Sequence, residues 1–208
     1  MKGIKSGQSF NGEMDDEEME IRRQRAEECY KDFLYALGYD LREDPNMEDT
    51  PRRVVKMLMR ETCKGTYLKE PKVTTFPSDY TGIVFEGDID VKSLCSHHMM
   101  PFFGKAYIAY IPQGEVIGLS KLNRIVDWFS RRPQLQEQLT QQIHDYLQKV
   151  LPNNQGIAIF IEANHTCVSL RGIEHHSVMK TSKLSGAFLD NTDKSREEFF
   201  QMIKRGLI

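Results

Sequence analysis

Long apolar runs are missing from this 208-residue chain: no segment approaches the ~18 consecutive apolar residues that a membrane span requires, so no membrane partner is expected. The first twenty residues, MKGIKSGQSFNGEMDDEEME, lack the apolar core of a secretory leader. Nor is there an excess of charge of one sign. Lys and Arg number 28 against 30 Asp and Glu, a formal net charge of −2. That balance removes any global electrostatic case for nucleic acid or an anionic membrane surface, so an anion site has to be a local cluster of bases. Cysteine is scarce, with only Cys29, Cys63, Cys95 and Cys167. A cytoplasmic, reducing location is the expectation, and there these four read as thiols or metal ligands rather than a disulfide framework. Internal repeats and low-complexity tracts are absent too.

What is present suits a globular chain, with 39% hydrophobic and 28% charged residues. Residues 1–13 are polar and Gly/Ser-containing and read as a mobile tail. Residues 14–80 form an N-terminal helical region. Its first helix is expected over Met14–Leu37, with Cys29, Phe33 and Leu37 on one face. A second helix is expected from Thr50, as N-cap, and Pro51 to about Thr62. Residues 81–208 change character. IVFEGDIDVKSL and GKAYIAYIP are strand-like. Residues 119–151 show helical period in two stripes, Leu122/Ile125/Val126/Phe129 and Leu135/Leu139/Ile143/Leu147, with Pro133 fitting the first turn of the second. GIAIFIEANHTCVSL is again a strand, with Ile157, Ile159 and Ile161 on one face. An extended segment over about Ser177–Phe188 and a helix from about Ser195 follow. The fold class is therefore α+β: an antiparallel four-stranded sheet in the order ββααββ, with two helices on one face. Its open edges and incompletely covered face argue for oligomerisation.

The chemistry concentrates in SLCSHHMMPFFG and NHTCVSLRG. Cys95 and His98 are spaced C-x-x-H, and Cys167 is the other cysteine in a strand-like context. They are either ordinary buried thiols or a Cys/His/Cys metal set, one ligand short of a closed structural zinc site. Each ligand strand also brings a spare histidine, His97 and His165, suited to proton transfer near neutral pH. In a strand His165 and Cys167 would share a face. His144 reads as lying on the polar side of a helix and receives no role; His175 and His176 stay unassigned.

A second group is basic and polar. Ser120 reads as a helix N-cap, with Lys121 and Arg124 in the first turn, where cations are slightly disfavoured unless an anion sits beside them. Arg53, Lys56 and Arg171 are further candidates for a polyphosphate cradle. A solvated charged face explains the same residues equally simply. Gln136 and Glu137 open the next helix. Glu137 there suits the helix dipole, and the pair also suits the N–H edge of a ligand base.

Taken together, LCSHHMMPFFGKAYIAYIP, VIGLSKLNRIVDWFSRRPQLQEQLTQQI and HTCVSLRG closely resemble GTP cyclohydrolase I in order and spacing, and EDTPRRVVKML resembles that family's N-terminal helical motif. The resemblance runs from about residue 20 to the end. It implies the tunnelling fold and a toroidal homo-oligomer, a decamer of two stacked pentamers with active sites between subunits. It implies hydrolytic opening of the guanine imidazole ring of GTP, release of formate and rearrangement to 7,8-dihydroneopterin triphosphate, the first step of tetrahydrofolate and pterin biosynthesis. Carried over by position, Cys95, His98 and Cys167 match the zinc ligands, and His97 and His165 the catalytic histidines. Gln136 and Glu137 match the guanine-binding pair, Ser120 a serine near the ribose, and Arg53, Lys56, Lys121, Arg124 and Arg171 the bases around the triphosphate. The rival reading is a catalytically inactive or altered-substrate zinc-binding protein of the same fold. The spare histidines argue against it. A pterin synthase or nitrile reductase of that fold would lack the Gln136–Glu137 motif in this form. Two departures stand out: Ser96 where the family commonly has Glu, and GIEHHSVMKTSKLSGAF in place of a Ser/Thr-rich stretch.

Overall fold

The computed structural model describes residues 3–205. In chain order its elements are helix α1 (Asp16–Ala36), α2 (Thr50–Met57) continued by a π-helical turn (Leu58–Thr62), α3 (Lys64–Tyr67), strand β1 (Thr75–Ser78), β2 (Val84–Cys95), β3 (Pro101–Ile111), β4 (Gly114–Ile117), α4 (Leu119–Ser130), β5 (Pro133–Gln134), α5 (Gln136–Val150), β6 (Gly156–His165), α6 (Thr166–Ser169), β7 (Val178–Leu184), α7 (Ala187–Asp190) and α8 (Ser195–Arg205). The chain is α+β, and the expected ββααββ core is β2–β3–α4–α5–β6–β7. Its four long strands are antiparallel neighbours in the order β2-β3-β6-β7. Two short additions escaped the sequence reading. A two-residue parallel strand, β5, pairs with Leu94 and Cys95, and a separate ribbon joins β1 to β4.

Side-chain alternation divides the sheet into two cores. On one face Ile89, Val91, Ala106, Ile108, Ile157, Ile159 and Ile161 meet Leu122, Ile125 and Phe129 of α4 and Leu139, Ile143 and Leu147 of α5. On the other face Tyr107, Ala109 and Ala158 are covered by Phe188 of α7 and Phe199 and Ile203 of α8. The second face is thus better covered than expected, because α8 folds back over it. At the Cys95 end that face stays open, with Phe103 49% exposed. No helix among the described residues is long and apolar enough to cross a membrane.

Several local expectations give way, each for a physical reason. Cys29, Phe33 and Leu37 are exposed and only Leu34 of α1 is buried. The helical period is right, but α1 packs along α2 so that these three side chains stay largely on the solvent side. Thr50 lies inside α2, since Asp49 takes the cap position and binds Arg52 with its side chain. Ser120 lies inside α4, whose cap residue is Gly118. Pro133 precedes α5, because Gln134 is drawn into the interior. There its side-chain N–H groups donate to the carbonyl oxygens of Phe129 and Ser130 at the end of α4, the second of which also accepts from Arg132 N at 2.8 Å. His144 is buried, with Nε2 2.9 Å from Ser185 Oγ, so α5 is apolar over a wider arc than its charges suggest.

The predicted tail is tied down. Residues 1–2 lie outside the described residues. Beyond them, Gly7 donates to Pro133 O at 2.8 Å, Phe10 N donates to Thr66 O at 2.7 Å, and the Phe10 side chain is buried. Gly7 has a φ of +73°, which lets its carbonyl turn inward to accept from Arg132 Nη1 at 2.9 Å.

Candidate metal centre and its surroundings

Three pieces of backbone converge at one end of the sheet. β2 delivers Cys95, and the chain then reverses tightly: Met99 N donates to Cys95 O, and Cys95 N donates to Met100 O, both at 2.8 Å. Met99 takes a φ of +54° to make the turn. β3 starts beside it, and Phe102 stands opposite His165 at the end of β6. The single turn of α6 then swings Cys167 back towards Cys95, pinned by Thr166 Oγ1 donating to Pro101 O at 2.6 Å. Cys167 is therefore on a helical turn rather than on the strand face of His165, and the two side chains part company.

The ligand atoms of Cys95, His98 and Cys167 all lie within 4.8 Å of one another, the one such cluster among the described residues. Cys95 is buried, Cys167 half-buried and His98 exposed, so the cluster is open on the histidine side. Two thiols and an imidazole are the soft donor set that zinc and similar ions prefer. Burial, and then the neighbouring Cys95, push the Cys167 thiol up. Two adjacent sulfurs resist losing their protons together unless a cation offsets the charge. Arg171 Nη1 donates to His98 Nε2 at 2.9 Å. A guanidinium can only donate, so that nitrogen accepts, and a metal binding through it would have to displace Arg171.

His165 lies beside the cluster without joining it. Its ring stacks on Phe102 at 4.5 Å and 7°, and its Nε2 is 2.8 Å from Gln136 Oε1. Burial lowers its pKa, with the nearby Glu137 carboxylate acting the other way. Gln136 is 1% exposed, and its side-chain N–H groups face Ile161 O, Met179 O and Thr181 Oγ1. Its amide is spent inside the chain, which departs from the guanine contact implied by the resemblance. Glu137, one residue on, is exposed. His97 is exposed, with its ring edge-on to His98 at 6.3 Å. Ser96 faces a cavity of about 350 Å³ between this loop and Ile4, Lys5, Ser6 and Gln8.

The expected bases do not all gather here. Arg171 does. Ser120, Lys121 and Arg124 flank Asn123, which holds Glu86 near the start of β2 at 2.8 Å. Glu86 is nine residues before Cys95 on the same strand, roughly 30 Å away at ~3.3 Å per residue. Arg53 and Lys56 are exposed on α2, where Arg53 lies 3.6 Å from Asp49. Sequence reasoning missed Phe102, Thr181 and Thr140. Thr140 had a legible signal, one helical turn beyond Gln136. The other two are found only from strand register.

A family model described as GTP cyclohydrolase I matches residues 26–204. The GTP cyclohydrolase 1 of Chlorobaculum tepidum is 46% identical over 180 residues, covering 83% of this chain and 79% of that one. The protein of the same name from a Sulfurihydrogenibium species is 44% identical over 191 residues, covering 89% and 97%. That of Bacteroides thetaiotaomicron is 42% identical over 183 residues, covering 86% and 91%.

Proposed function

The chain belongs to the GTP cyclohydrolase I family, and from that membership we propose that it opens the guanine imidazole ring of GTP by hydrolysis, releases formate and yields 7,8-dihydroneopterin triphosphate. The observation that carries the reading is the convergence of Cys95, His98 and Cys167 within 4.8 Å next to an internally anchored histidine. These three residues would hold zinc, which when bound would supply Lewis-acid activation of water near neutral pH.

The remaining work falls to the chain's own groups. His165, held between Phe102 and Gln136, transfers a proton at the reacting base, with His97 as its exposed counterpart. Glu137 accepts from the N–H edge of guanine, a charge-assisted contact that orients the ring. Arg171 adds a fixed positive charge at the mouth of the site, suited to a phosphate.

Ser120, Lys121 and Arg124 cannot reach this cluster from the same chain. We infer that a second copy brings them, together with Arg53 and Lys56, to the ribose and triphosphate. The sheet edges at β7 and along the part of β2 before Leu94, where β5 does not pair, provide for a ring of the tunnelling-fold type, a decamer of two stacked pentamers, working in the cytoplasm.

The test is direct. Zinc-loaded protein incubated with GTP should give the absorbance of a dihydroneopterin and an equivalent of formate. No product from an intact oligomer with zinc bound would remove the catalytic reading and leave a nucleotide- or zinc-binding protein.

A further inference from the structure

We propose that Gln136, its amide fixed by the carbonyls of Ile161 and Met179 with Thr181 beside them, is a positioning residue that holds His165 in a single tautomer, with the proton on Nε2 and the lone pair on Nδ1. The catalytic consequence rests on the role given to His165 above; the tautomer does not.

The direction of the decisive hydrogen bonds follows from groups that cannot reverse. Thr140 Oγ1 lies 2.9 Å from the carbonyl oxygen of Gln136 and 2.7 Å from Thr181 Oγ1, so the two hydroxyls extend the network into α5. Thr181 Oγ1 lies 3.1 Å from Gln136 Nε2. The same Nε2 faces two groups that can only accept, Ile161 O at 3.1 Å and Met179 O at 3.2 Å. Turning the amide over would set its oxygen against both carbonyls, inside a residue that is only 1% exposed. The amide orientation is therefore fixed, and Oε1 faces His165 Nε2 at 2.8 Å. An acceptor at that distance requires a proton on Nε2. In the neutral imidazole Nδ1 is then bare.

Three structural units meet in this network: α5 gives Gln136 and Thr140, the edge strand β7 gives Thr181 and the Met179 carbonyl, and β6 gives His165 and the Ile161 carbonyl. The Phe102 ring lying parallel to the imidazole keeps it in that plane. Proton traffic at this histidine accordingly runs through Nδ1. A proton given to a substrate ring nitrogen has first to be taken up there. The wrong tautomer can disable a correctly placed catalytic histidine, as the serine protease triad shows.

The experiment uses zinc-loaded protein carrying 15N-histidine, with the His165 signals identified by their loss in His165→Gln. Solid-state 15N spectra should show Nε2 protonated and Nδ1 bare. In Gln136→Leu, which removes the acceptor facing Nε2, the Nδ1-protonated form should appear, with kcat lowered on the order of tenfold while the KM for GTP and the zinc content are unchanged. Thr181→Val, which leaves both carbonyls in place, should keep the single tautomer. A protonated Nδ1 in the unmutated protein would overturn the proposal, and that spectrum decides even if Gln136→Leu does not fold. A raised KM with kcat intact in Gln136→Leu would also overturn it, by showing that Gln136 reads substrate. Absence of GTP turnover would instead count against the function and leave the tautomer result standing.

Discussion

At the scale of single residues, Cys167 and His165 are two positions apart and have separate surroundings. Cys167 faces Cys95 and His98, whereas His165 turns to Gln136. Cys167→Ser should therefore lose zinc and GTP turnover together. His165→Ala should lose turnover by two orders of magnitude or so while retaining one zinc per chain, because it removes a proton-transfer group and no ligand. Zinc analysis alongside a formate assay separates the two variants, and an empty site in His165→Ala would place that histidine among the ligands. The clustering of Cys95, His98 and Cys167 was legible because C-x-x-H is a local spacing and chemistry limits what such residues do. The environment of Gln136 was not. Its amide is saturated by carbonyls 25 and 43 residues away, contacts that exist only once β6 and β7 lie side by side. Ser96 was flagged as unusual from sequence, and in the fold it faces a cavity next to the N-terminal segment.

At the scale of elements, the N-terminal segment and β5 form one support beneath the metal loop. Gly7 binds Pro133 O, β5 pairs with Leu94 and Cys95, and Ser96 N donates to Gln134 O at 3.3 Å. Arg132, only 3% exposed, lies between them. It donates to the carbonyls of Gly7 and Gly65 and stacks 3.8 Å from the Trp128 ring. Burial lowers its pKa to about 10, so these carbonyls and the indole are what make the cation tolerable there. Deleting residues 1–12 removes the buried Phe10 ring and the Gly7 contacts. The expected loss is about 2–3 kcal/mol, seen as a lower urea midpoint, and an unchanged midpoint would mean the segment contributes nothing to stability. The long strands and helices were readable because period and β-branched content repeat over ten residues or more. β1, β4, β5 and the N-terminal docking were not. Each is four residues or fewer, or is held by partners more than fifty positions away, and local pattern carries neither kind of information.

At the scale of the whole molecule, one chain keeps the two proposed halves of the site apart. The metal cluster, His165, Gln136 and Arg171 occupy one end of the sheet, and Ser120, Lys121 and Arg124 the other. The strand order ββααββ was in the sequence, yet the distance between the halves was not, since motif spacing along a chain does not say which end of a strand a helix begins from. If both halves serve one reaction, a head-to-tail contact between copies has to join them. Cys167→Ser damages the metal half, and Lys121→Ala combined with Arg124→Ala damages the anion half, so each variant alone should be nearly inactive. The deciding measurement is GTP turnover after the two inactive proteins are unfolded, mixed in equal amounts and reassembled. Sites built from the intact half of each should return activity to about a quarter of that of the unmutated protein, the share expected of random head-to-tail pairing. A mixture as inactive as its components, with oligomers and zinc uptake intact, would contradict the shared site.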